Sequence, residues 1–134
     1  MDVNKLMVLT CQHGADSCLA IIMAGKQDRG RYVNQGVGGV YGTPLKIASS
    51  NGRNTTVRRL VEDYGANVSG RGGYGTALCC AAGGGHLSTV RILIQLGAKP
   101  GECTSVDKYP GYSYLINPGN EHDEIKKYLA MLKN

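Results

Sequence analysis

The chain has 134 residues, a formal net charge of +5 and a pI near 9.0, with 20 glycines, five cysteines, eight tyrosines and neither tryptophan nor phenylalanine. That length suits one domain, and the missing large aromatics call for an aliphatic, alanine-rich core edged by tyrosine. No run of about eighteen apolar residues is available to span a membrane, and the opening Met-Asp-Val-Asn-Lys lacks the basic and apolar regions of a signal peptide. An odd number of cysteines fits reduced thiols, so the sequence predicts an intracellular protein, of cytoplasm or nucleus.

In chain order, the first predicted unit covers about 1–34. Met7 to Gly14 aligns with Leu45 to Gly52 at an offset of 38, and Leu19, Ile22 and Met23 take the places of Val57, Leu60 and Val61. The second unit, about 38–69, holds Gly42-Thr43-Pro44-Leu45 and predicts helices at 45–52 and 55–63. The third, about 71–103, repeats it 33 residues later. Tyr41 returns as Tyr74, Ala48 as Ala81, Gly52 as Gly85, Val57 as Val90 and Leu60 as Leu93. Its helices are predicted at 78–84 and 88–96. Gly65-Ala66 returns one residue early as Gly97-Ala98, because Tyr64 is extra. The fourth unit, about 106–134, is irregular through Pro110 and Pro118 and ends in a helix carrying Ile125, Leu129 and Leu132.

The chemistry of one unit follows from its residues. Thr43 and Thr76 are suited to cap a first helix, and Pro44 to its first turn. Gly52 and Gly85 stand where that helix must reverse, a place for left-handed backbone. The second helix has apolar residues three and four apart, and Gly65 or Gly97 ends it. An extended, glycine-rich excursion leads onward. Helices this short are not stable alone, so the units must stack.

A fixed period of this kind marks a repeat architecture. The unit resembles the ankyrin repeat, most closely over Tyr74 to Pro100, where Gly85-His86 and the stretch Leu93 to Gly97 match the family's pattern. The glycine-rich run into Tyr74-Gly75-Thr76-Ala77-Leu78 resembles fungal-type arrays. The family's histidine after Thr-Pro-Leu is replaced by Lys46 and Cys79, so its hydrogen bonds are expected to be missing. The resemblance implies an all-α solenoid of about four helix-turn-helix units in a single domain over 1–134, two strong and two degenerate at the ends. It further implies a non-catalytic module or scaffold for protein–protein interaction. The alternatives are a structural fragment of a longer array, or a nucleotide or nucleic-acid binder using the glycine-rich loops and the basic face.

No catalytic, cofactor or metal residue is assigned. Gly70-Arg71-Gly72-Gly73-Tyr74-Gly75 has dinucleotide-loop spacing, but no buried strand precedes it and no carboxylate lies twenty residues on. Cys11, Cys18, Cys79, Cys80 and Cys103 lack the C-x-x-C spacing of a zinc site and fit small buried positions instead. His13, His86 and His122 are far apart, and the last two sit where the family places a structural histidine. The sequons at Asn54 and Asn67 are expected to be chance matches, since no secretory signal is evident, and Asn54 is expected to serve a turn or cap.

Arg53, Arg58, Arg59, Arg71 and Arg91 gather in the middle units, a basic strip of the kind that binds acidic protein, nucleic acid or phosphoinositide, with an acidic protein partner expected. A solvated helix face explains the same residues, and tyrosines that do not interleave with the arginines speak against nucleic acid. In the family, contacts come from the excursion tips and the exposed side of the first helix. Here those positions are Gly39, Val40, Gly42, Ser50 and Asn51, then Gly72, Gly73, Gly75, Gly83 and Gly84. So bare a surface leaves Lys46, Arg53, Arg71, Tyr74, Tyr112 and Tyr114 as the expected anchors. Tyr74 has a structural alternative, because Tyr41 shares its repeat position. Reversing Arg53 and Arg71 to glutamate is expected to slow association at constant melting temperature. The chain is expected to be a monomer.

Overall fold

Helix ends are set by the same few residues in each repeat of the computed structural model, which describes residues 3–36, 42–70, 76–100 and 120–132. Eight helices lie within them: α1 (Val3–His13), α2 (Asp16–Ala24), α3 (Arg29–Val33), α4 (Pro44–Ser50), α5 (Asn54–Glu62), α6 (Ala77–Gly83), α7 (Leu87–Gln95) and α8 (Asn120–Leu132). The four helices expected in the middle units are present, each displaced by about one residue towards the N-terminus. The cause is visible at α4 and α6. Thr43 and Thr76 accept from the backbone N–H of Lys46 and Cys79, both at 3.4 Å, so the first helical residues are Pro44 and Ala77.

Three glycines end the first helices alike. Gly14, Gly52 and Gly85 have φ of 68°, 69° and 76°, in the region that side chains disfavour. The following N–H then reaches back five residues: Ala15 to Thr10, Arg53 to Ala48 and His86 to Ala81, each at 3.0 Å. The second helices differ. Ala66 N–H reaches the Leu60 carbonyl at 2.8 Å, six residues back, whereas Ala98 N–H reaches Leu93 at 2.9 Å, five back. The extra residue Tyr64 is absorbed there, inside the cap, leaving the rest of the repeat in register.

First helices stack side by side, α1 on α4 and α4 on α6, while α5 packs on α7 and α8 closes against α7 and α6. Equivalent residues fill equivalent places. Met7, Leu45 and Leu78 are buried, as are Thr10, Ala48 and Ala81, then Leu19, Val57 and Val90, then Ile22, Leu60 and Leu93. Ile125 and Leu129 of α8 join this core as expected, but Leu132 is partly exposed because it lies in the last turn. The excursion after the first pair is not wholly extended. Asp28 accepts from Arg31 N–H at 3.1 Å and starts the short α3, which buries Val33. A lone apolar residue and Gly30 gave that helix no periodic signal.

Ser49 is the one buried side-chain oxygen without a hydrogen-bond partner among the described residues. It lies within α4, where the register-equivalent residues are Cys11 and Ala82. Ser49→Ala removes a desolvated hydroxyl at almost constant volume and should stabilise the fold by about 1 kcal/mol. A urea titration in which the midpoint falls would show that the hydroxyl is satisfied.

Candidate interaction surface

The candidate anchors divide into two that the fold engages and four outside the described residues. Lys46 lies in α4 and is buried. Its stem runs along Gly42, where a Cβ would stand 3.1 Å from Lys46 Cδ. Lysine stems cover apolar surface in this way, so the side chain forms part of the packing. Arg71, Tyr74, Tyr112 and Tyr114 lie outside the described residues.

Arg53 is exposed yet works within the stack. Its Nε donates to the Gln12 carbonyl at the end of α1, at 2.8 Å. Its stem lies over Gly14, where a Cβ would come within 3.1 Å of Arg53 Cδ. One repeat later the same construction recurs with a different side chain. His86 Nε2 lies 3.0 Å from the Ser50 carbonyl, and its ring covers Gly52, where a Cβ would meet Nδ1 at 2.7 Å. Gln12 and Ser50 are register equivalents, as are Arg53 and His86. Each residue straps one helix pair to the end of the preceding first helix. The guanidinium also meets the negative end of the α1 dipole. Reversing Arg53 to glutamate removes this strap, so a constant melting temperature no longer follows for that substitution.

Three further arginines of the set are also engaged. Arg58 lies 3.5 Å from Glu62 and donates to Gln95 at 3.0 Å. Arg59 lies 3.8 Å from both Asp63 and Asp16. Arg91 stands over the Tyr128 ring at 5.3 Å. Such exposed pairs add little to stability, but they offset the positive charge of this face locally. The gathered arginines are therefore mixed with acids on α5 and α2.

The glycines of the first-helix side are not bare. Gly83 and Gly84 are buried. A Cβ on Gly84 would meet His86 Cδ2 at 2.7 Å and the Ser50 carbonyl at 2.8 Å. Absence of a side chain there serves close approach of α4 and α6. Asn51 is exposed, and its amide donates to the Ile47 carbonyl at 2.8 Å.

Polar residues on the second helices join neighbouring pairs. Thr56 donates to Asp16 at 2.7 Å. Asn54 donates to Ser88 at 3.0 Å and accepts from Thr89. This exceeds the turn or capping role predicted for Asn54. Asn34 donates to the Gly65 carbonyl at 3.1 Å and accepts from Asn67 N–H at 2.7 Å. Asn34 and Asn67 recur at the 33-residue period, a signal that was available in the sequence. Nothing in the local pattern marks Asp16 or Ser88.

Cys79 stands where the family has its histidine and accepts from the Thr76 hydroxyl at 3.6 Å, so one of the expected missing contacts is partly replaced. Cys11, Cys79 and Cys80 are buried and Cys18 is exposed, all four as free thiols, while Cys103 lies outside the described residues. Burial, and then the Asp16 carboxylate, push the Cys11 thiol up to about 12. A folded-state value above the unfolded one favours the neutral thiol, so this contribution to stability is full at neutral pH and is lost as pH rises towards 12. Iodoacetamide at pH 8 should label Cys18 in the native chain and reach Cys11, Cys79 and Cys80 only on unfolding. Mild reduction should leave the mass unchanged. A gain of about four daltons would reveal two disulfides and overturn the reduced state.

Among the described residues, no group of three or more His, Cys, Asp or Glu is placed to hold a metal ion. No helix among them is long and apolar enough to cross a membrane. The family model for ankyrin repeats (3 copies) matches residues 6–107. No curated protein matches the chain.

Proposed function

The chain belongs to the ankyrin repeat family, and from that premise we propose that it is a non-catalytic module binding an acidic protein partner. Ankyrin repeats are in general protein–protein interaction modules, and stacked repeats present an extended surface. The observation that carries the reading is the set of cross-pair bonds. Arg53 to Gln12, His86 to Ser50 and Asn34 to Gly65 and Asn67 tie successive pairs together. These ties hold the helix pairs in fixed relative positions, so little order of the stack itself is lost on binding. The proposed anchors are Arg71, Tyr74, Tyr112 and Tyr114. Lys46 and Arg53 contribute through the packing of the helix pairs. The module works inside the cell, in keeping with its free thiols.

Arg71→Glu tests the reading and leaves Arg53 and His86, the two straps, in place. Partners are captured from a lysate with the wild-type chain, identified by mass spectrometry, and remeasured with the variant. Association should slow and its salt dependence flatten, with an unchanged melting temperature. Unchanged association at low salt would move the binding face away from Arg71. A thermal shift on adding nucleotide would instead favour the glycine-rich loop as a nucleotide site.

A further inference from the structure

Gly14, Gly52 and Gly85 reverse the first helices, and the residues before them are His13, Asn51 and Gly84. The middle turn alone sets a carboxamide next to its glycine, and Asn51-Gly52 is the only Asn-Gly pair in the chain. Such a pair can react with itself. The Gly52 backbone nitrogen can attack Asn51 Cγ, because glycine has no side chain to obstruct the approach. Gly52 N–H gives its proton to hydroxide, and the N–Cγ bond forms. The Cγ–Nδ2 bond breaks, and Nδ2 leaves as ammonia with a proton taken from water. Water then opens the cyclic imide. Cleavage between Gly52 N and Cγ gives aspartate, and cleavage between Gly52 N and the Asn51 main-chain carbonyl gives isoaspartate.

The fold holds the reacting atoms apart. Asn51 closes α4 with ψ of 2°, which eclipses Gly52 N with the nitrogen of Asn51 and turns it away from Cβ. Ring closure needs Gly52 N turned towards Cβ and Cγ instead. Gly52 N–H donates to the Ser49 carbonyl at 3.2 Å, and Asn51 Nδ2 donates to the Ile47 carbonyl at 2.8 Å. The His86 ring lies over Gly52, where a Cβ would stand 2.7 Å from Nδ1. Asn51 is nonetheless exposed, so water and hydroxide are at hand. We propose that Asn51-Gly52 is a self-modification site, kept shut by the α4 cap and the His86 ring, and that it deamidates when the turn between α4 and α5 opens. The product no longer closes the turn in the same way. Aspartate exchanges the Nδ2 donor for a carboxylate oxygen beside the Ile47 carbonyl, at the negative end of α4. Isoaspartate lengthens the main chain by a methylene before Gly52. That displaces the N–H groups of Gly52 and Arg53 from the Ser49 and Ala48 carbonyls. Deamidation thus marks an opening of the turn and makes the next one easier.

Trypsin frees the peptide 47–53, in which Asn51 is the only amide side chain, so mass spectrometry reads this site alone. The full chain is held at neutral pH, folded or in guanidinium chloride, and deamidation of that peptide is followed with time. Folded chains should react more than about tenfold slower, because only the fraction with the turn open can react. His86→Ala should speed the reaction of the folded chain by about threefold or more, through easier opening, and leave the rate in denaturant unchanged. Asn51→Asp should lower the melting temperature. Equal rates for the folded and unfolded wild-type chain would overturn the proposal, and that comparison needs no variant. A His86→Ala chain that melts cooperatively but reacts no faster than wild type would overturn it too. So would an Asn51→Asp chain that melts at the wild-type temperature, because the product would then leave the cap intact.

Discussion

Leu93→Ala should destabilise the chain by about 2–5 kcal/mol, the range for truncating a buried leucine. Leu93 is fully buried in α7 and occupies the place that Leu60 holds in α5. Packing of α5 on α7 and of α7 on α8 encloses this region on both sides, which limits how far the surroundings can collapse into the space left behind. Its carbonyl also accepts the cap bond from Ala98, a contact that survives truncation and holds the backbone in place. The predicted loss is therefore the lost transfer and the cavity, without a lost cap. Urea titration should show a lower midpoint at unchanged slope. A change below about 0.5 kcal/mol, small against the usual leucine range, would mean that the buried face of α7 is assigned wrongly. Because contacts in a solenoid are between neighbours, a split into two transitions would place the weakness at the interface of α7 with α5.

Gly84→Ala should cost about 1–3 kcal/mol, the range for overpacking. The backbone of Gly84 is in the right-handed region, with φ of −77°, so alanine meets no conformational strain of its own. What opposes it is the Ser50 carbonyl at 2.8 Å and His86 Cδ2 at 2.7 Å. The imidazole can turn aside, whereas the carbonyl belongs to the end of α4, so α4 and α6 must separate. Adding His86→Ala should therefore fail to rescue Gly84→Ala. Full rescue would assign the conflict to the ring alone. Gly65→Ala makes the contrast. No atom lies within 4 Å of its Cβ position, but φ is 76°, so its cost should be the left-handed backbone alone, about 1–2 kcal/mol.

Positions 42 to 52 and 75 to 85 were enough to read the helix pairs, because cap, apolar face and reversing glycine are all local. Thr43 with Pro44, Thr76, Gly52 and Gly85 act through their own neighbours within one turn, and the backbone takes the shape they dictate. The cores at Leu60 and Leu93 follow from the same pattern, since a short amphipathic helix has one face to bury. The candidate surface was less legible. Arg53 reads as a solvated cation, yet it is tied to a carbonyl 41 residues away. Gly84 reads as an empty surface, yet it is a point of contact between helices. Asp16, paired to Thr56 and Arg59, carries no mark in its own neighbourhood. Sequence by itself determined the repeat, its phase and its caps, because those depend on interactions a few residues long. Tertiary structure alone decided which charges are engaged and which glycines are covered, because those depend on where stacking places one pair against the next.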